Sequence, residues 1–110
     1  MHARKPAEAN DEKVAEAVGR ALANMRRRRR LTQAQLAGRA GVARVTIVRA
    51  EAGHPGLTLA ALVSILSALD ASMLKDLVET LEADQPGQEL ERARTRLPRR
   101  VRQAQGAADP

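Results

Sequence analysis

Apolar residues recur along this chain with the period of an α-helix, in short runs separated by polar or glycine breaks. Val14, Val18, Ala21, Leu22 and Met25 follow at spacings of four, three, one and three, which places them on one helical face. That spacing predicts a first helix from about Lys13 into the arginine block 26–30. Leu31-Thr32-Gln33-Ala34-Gln35-Leu36 is the sharpest local signal. Thr32 with Gln35 three residues on forms a capping box, in which each side chain satisfies a free backbone N–H of the other residue. Leu31 and Leu36 flank it as a hydrophobic staple. A second helix therefore starts at Gln33, and Gly41, which takes a left-handed conformation at little cost, ends it.

The apolar pattern then resumes. Val42, Ile47 and Ala50 share one face of a third short helix ending near Glu51, and Arg44, Val45, Val48 and Arg49 share the other. Ala43 at its start is a poor cap. After the loop 52–56, Thr58 caps a fourth helix with the staple Leu57–Leu62. Leu59, Leu62, Val63, Ile65, Leu66 and Leu69 make its broad apolar stripe. A break at Asp70-Ala71, with Ser72 as the cap, leads into a fifth amphipathic helix carrying Leu74, Leu77, Val78 and Leu81. Residues 1–12 read as a disordered arm, 13–83 as one compact all-α domain, and 84–110 as a basic, largely disordered tail. Within that tail, 88–96 has transient helical character.

Composition narrows the chemistry. The 110 residues include no Cys, Trp, Tyr or Phe, so the core is aliphatic. Without Cys there is no disulfide scaffold, no Cys-based zinc site and no thiol nucleophile. His2 and His54 are far apart, which excludes a metal site at ligand spacing. No cofactor, no apolar membrane span and no signal segment is expected. No nucleophile–base pair or phosphate-cradling glycine loop suggests an enzyme. The expected location is the bacterial cytoplasm, at the nucleoid.

The net charge of +6 conceals segregation. Residues 20–49 hold nine Arg and no acid, 50–91 hold eight acids against Lys75, and 92–102 hold six Arg and no acid. Sixteen of the nineteen bases are Arg, whose planar fork suits phosphate and guanine. An Arg-rich composition would explain the amount, but not the absence of acids from 20–49.

Two short helices joined by a tight glycine turn are a helix-turn-helix pattern. The residues 31–37, then Ala40-Gly41-Val42 and Glu51-Ala52-Gly53, resemble the Cro/C1-type (XRE) helix-turn-helix family. Residues 57–69 are similar to that family's fourth helix without an insertion, and the likeness covers roughly 14–82. It implies a five-helix, lambda-repressor-like domain that binds double-stranded operator DNA, usually as a homodimer.

On that resemblance the third helix enters the major groove. Arg44 and Arg49 are then candidates for bidentate contact with guanine, or for phosphate contact, and Val45 and Val48 for packing on thymine methyls. Thr46, Thr32 and Gln33 are phosphate candidates, Gln33 because family members place the matching Gln on the backbone. Arg26 matches a family Arg that pairs with the Glu ending the third helix, here Glu51. Arg27, Arg28 and Arg30 remain as phosphate candidates in a block of which about two residues can face DNA. The sequence departs from the family at Ala43, where Ser or Thr is usual; at Arg30, where Gly is common; and at Ala50, where a larger aliphatic is usual.

Leu74, Leu77 and Leu81 either form a dimer face or close the monomer core. Two functional readings stay open. One is a transcriptional regulator, taken as a repressor. The other is an antitoxin that represses its own operator and neutralises a partner toxin, since the loop 53–59 and the basic tail resemble antitoxins paired with HipA-type kinases. An RNA binder is disfavoured, because no aromatic is present to stack on an unpaired base.

Overall fold

The computed structural model describes residues 6–95, and their regular structure is entirely helical. The order is α1 (Pro6–Arg28), α2 (Gln33–Ala40), α3 (Arg44–Glu51), α4 (Leu59–Ala83) and α5 (Gln85–Thr95). The chain divides into two units between Lys75 and Asp76, within α4.

In the first unit, α1 begins at Pro6 rather than near Lys13, so residues 6–12 are helical and not a disordered arm. Proline suits the first helical position because its fixed φ is already helical and its missing N–H has no partner there. Ala7 and Ala9 then favour propagation. Residues 1–5 of the expected arm lie outside the described residues.

The face α1 turns inward matches the expected one at Leu22, which is buried, and at Met25, which packs on the core, and differs elsewhere. Val14 and Val18 are exposed, and the buried positions are Gly19, Leu22, Ala23 and Arg26. The reason is a close backbone crossing. A Cβ at Gly19 would lie 2.5 Å from the Glu51 carbonyl oxygen and 2.8 Å from that of Ala50. Only glycine admits the end of α3 at this distance, so the stripe passes through Gly19 before it reaches Leu22, Ala23 and Arg26.

The end of α1 is a Schellman motif. Leu31 N–H donates to the Arg26 carbonyl at 3.2 Å and Arg30 N–H to the Arg27 carbonyl at 2.9 Å. The left-handed residue that closes it is Arg30, with φ 55°. Leu31, Leu36, Ile47, Ala50, Ile65 and Leu69 then gather with Leu22 and Ala37 into one core. Leu36, Ile47 and Ile65 are fully buried, and burying each such side chain contributes roughly 1.5–3 kcal/mol. On α4, Ile65 and Leu69 are buried and Leu62 and Leu66 half-buried, while Leu59 and Val63 of the expected stripe are exposed.

Thr58 caps α4 by accepting from Ala61 N–H at 3.0 Å. The break expected near residue 70 is present, at Asp70 (φ −162°, ψ 96°). The cap there is Asp70 and not Ser72: the Asp70 carboxylate accepts from Ser72 N–H at 3.1 Å and from the Ser72 hydroxyl at 2.5 Å. A carboxylate answers both the free N–H groups and the positive end of the helix dipole. Hydrogen bonding from Ser72, aided by the charge of Arg29, holds the Asp70 carboxyl below its ordinary range. Arg29 Nε donates to the Leu69 carbonyl at 3.0 Å, satisfying the last acceptor before the break.

The second unit holds the end of α4 and α5. Asp84 caps α5 by accepting from Gly87 N–H at 3.2 Å, and Pro86 sits in its first turn. Residues 85–95, assigned above to the tail, are therefore helical, although none of them is buried. Residues 96–110 lie outside the described residues. Among the described residues no helix is long and apolar enough to cross a membrane.

Candidate nucleic-acid interface

The turn between α2 and α3 positions the site. Thr32 and Gln35 complete the capping box, with Thr32 N–H to Gln35 Oε1 at 2.8 Å and Gln35 N–H to Thr32 Oγ1 at 3.0 Å. Gly41 takes φ 70°, ψ 31°, and Val42 N–H reaches the Ala37 carbonyl at 3.0 Å. Ala43 is extended and gives α3 no side-chain cap.

These constraints fix the rotation of α3 about its axis. Ile47 and Ala50 are buried, Val42 and Thr46 half-buried, and Arg44, Val45, Val48 and Arg49 exposed. Two cations and two aliphatic side chains therefore share the outer face of one two-turn helix. This face can donate forked hydrogen bonds and offer apolar surface, the two functions needed to tell base pairs apart in a major groove.

A polar chain runs behind it. Arg26 Nε lies 2.6 Å from Glu51 Oε2, and its Nη2 donates to Oε1 at 3.0 Å. Its Nη1 donates to the Leu31 carbonyl at 2.8 Å. Both side chains are nearly buried, at 11% and 9% exposure, so the pair sits in the fold and not on its surface. Hydrogen bonding to Glu51 raises the Arg26 pKa against the effect of burial. Burial alone would raise the Glu51 pKa. Hydrogen bonds from Arg26 and Gln33, with the charges of Arg26 and Arg27, outweigh that and hold it below the ordinary carboxylate range.

Gln33 continues the chain outward. Its Nε2 donates to Glu51 Oε1 at 3.1 Å and its Oε1 accepts from Arg44 Nη2 at 3.3 Å. The side chain considered above for phosphate thus links the buried pair to an exposed arginine on the outer face of α3. Its position as the first residue of α2 and the spacing to Arg44 carry no local signal of this link. The structure brings together Arg26, Gln33, Arg44 and Glu51, from the first three helices.

The remaining arginines of the block fall into different roles. Arg29 is structural, bonded to the Leu69 and Met25 carbonyls. Arg27, Arg28 and Arg30 are exposed, and among the described residues no hydrogen bond or ion pair engages the side chain of Arg28 or Arg30. Thr32 is exposed, and its hydroxyl proton is not used by the capping box. Later in the chain, Leu74 is half-buried, while Leu77 and Leu81 are 46% and 67% exposed, with Met73 and Val78 also exposed. The three leucines are not part of the core cluster.

A family model described as a helix-turn-helix domain matches residues 17–84, more than half of the chain. No curated protein matches the chain.

Proposed function

The chain belongs to the helix-turn-helix domain family, and from that premise we propose that it is a sequence-specific regulator of transcription, a repressor acting as a homodimer on double-stranded DNA. The observation that carries this reading is the outer face of α3, where Arg44, Val45, Val48 and Arg49 are exposed beside buried Ile47 and Ala50. On this reading α3 lies in the major groove, Arg44 and Arg49 grip guanine edges, and the two valines pack on thymine methyls. Thr32, Gln33, Thr46, Arg27, Arg28 and Arg30 contact phosphates and set the register. The protein binds without catalysing a reaction, and it works in the bacterial cytoplasm, where the nucleoid lies.

The dimer half of the reading is supported by Leu77, Val78 and Leu81, which are exposed on the part of α4 that lies in the second unit. A row of large apolar side chains at helical spacing is suited to a second copy. An antitoxin would use the same α3 face and add a toxin on a separate surface. A toxin co-purifying from the native host would decide for it.

The test is selection of duplexes from a random pool, followed by titration of Arg44→Ala on the selected site and on random DNA. We expect a loss of about 1–3 kcal/mol on the selected site, with relaxed preference at one base pair. An equal loss on random DNA would assign Arg44 to phosphate. No enrichment from the pool would overturn the sequence-specific reading.

A further inference from the structure

Among the described residues of the first unit, Arg30 is the one non-glycine with a positive φ, 55°. It occupies the position of the Schellman motif where the absence of a Cβ is an advantage, because a Cβ in the left-handed region crowds the neighbouring carbonyl. The side chain is exposed and, among the described residues, no hydrogen bond or ion pair engages it. Its neighbour Arg29, by contrast, is bonded to two carbonyls and has a structural role. Arg30 also stands two residues before Thr32, the cap that begins α2. An unfavourable backbone bearing an unengaged cation beside a binding face fits a residue held for its charge. Strain of this kind clusters at functional positions.

We propose that Arg30 trades stability of the fold for affinity: its left-handed backbone weakens the domain, and its guanidinium holds a DNA phosphate beside α2. This rests on the DNA-binding reading above and deepens it, since it separates one phosphate contact from the general charge of the block.

Three variants of the full chain separate the two halves. Arg30→Gly relieves the backbone and removes the charge. Arg30→Ala keeps the strain and removes the charge, and Arg30→Lys keeps both. The probe is a random-sequence duplex titrated over a range of salt, alongside thermal melts. Arg30→Gly is expected to melt roughly 4–8 °C above the wild type, while the Ala and Lys variants stay near it. Both Gly and Ala variants are expected to lose a similar factor in affinity, about three- to tenfold, with the slope of log K against log salt shallower by about 0.9. The Lys variant should keep the wild-type slope. If Arg30→Gly melts no higher than the wild type, the strain half is wrong. If wild type binds the duplex and the Gly and Ala variants bind it equally well with the same slope, the phosphate half is wrong while the DNA-binding reading stands. If wild type fails to bind DNA at any salt, both fall together.

Discussion

Gly19→Ala sets two opposing effects against each other at the crossing of α1 and α3. Gly19 is helical, and Ala in a helix interior is more favourable than Gly by about 0.5–1 kcal/mol. At an open site that gain would appear as added stability. Here the new Cβ would meet the Glu51 carbonyl oxygen at 2.5 Å and the Ala50 carbonyl oxygen at 2.8 Å. Both are backbone atoms, so no side-chain rotation relieves the contact and α1 has to move away from α3. Overpacking of this sort costs typically about 1–3 kcal/mol. The clash outweighs the propensity gain, and a net loss of about 1–2 kcal/mol is expected. In a domain of this size each kcal/mol is worth roughly 4–8 °C, so the melting temperature should fall by about 5–15 °C. Gly38→Ala is the matched comparison: it lies inside α2, and a Cβ there would meet nothing within 4 Å. That variant should melt a few degrees above the wild type. Far-ultraviolet circular dichroism serves for both melts, because the chain has no aromatic residue to fluoresce. If Gly19→Ala melts at or above the wild type, the close crossing is wrong, and so is the account of why α1 buries Gly19.

The Arg26–Glu51 pair predicts a pH dependence. Because the Glu51 pKa is lowered in the fold, the pair's contribution is complete above the ordinary carboxylate value of about 4.3 and is lost as pH falls below it. Glu51→Gln should lose about 1.5–3 kcal/mol at neutral pH and show a flatter acid limb in denaturation midpoints measured from pH 6 to 3. An unchanged acid limb would remove Glu51 from that role. The exposed apolar residues on the part of α4 in the second unit predict that Leu77→Asp with Leu81→Asp gives a monomer by sedimentation, with helix content kept. A dimer that survives the double change would place the interface elsewhere.

How much was legible in the sequence depended on the range of the forces involved. The capping box at Thr32, the staple Leu31–Leu36 and the left-handed Gly41 are local, and each is made as the residues dictate. The outward set on α3 followed from helical period and the burial of Ile47 and Ala50. The inward face of α1 followed at Leu22 and Met25 but not at its N-terminal half, because hydrophobicity favours Val14 and Val18, whereas the backbone crossing demands Gly19. The early start of α1 had a signal in Pro6 that the polar composition of 1–12 obscured. The link from Glu51 through Gln33 to Arg44 requires three helices to meet, and neither spacing nor composition records such a meeting.

That link has a consequence for retargeting. Of the four outward positions on α3, Val45, Val48 and Arg49 carry no side-chain hydrogen bond among the described residues, whereas Arg44 is tied to Gln33. A library that varies the first three samples new sequence preferences on an unchanged scaffold. Varying position 44 alone removes the arginine donor from Gln33 Oε1 and frees the Gln33 side chain on that side, so 33 and 44 are best diversified as a pair. The face therefore offers three independent letters and one coupled pair, a grammar set by the fold before any DNA is present.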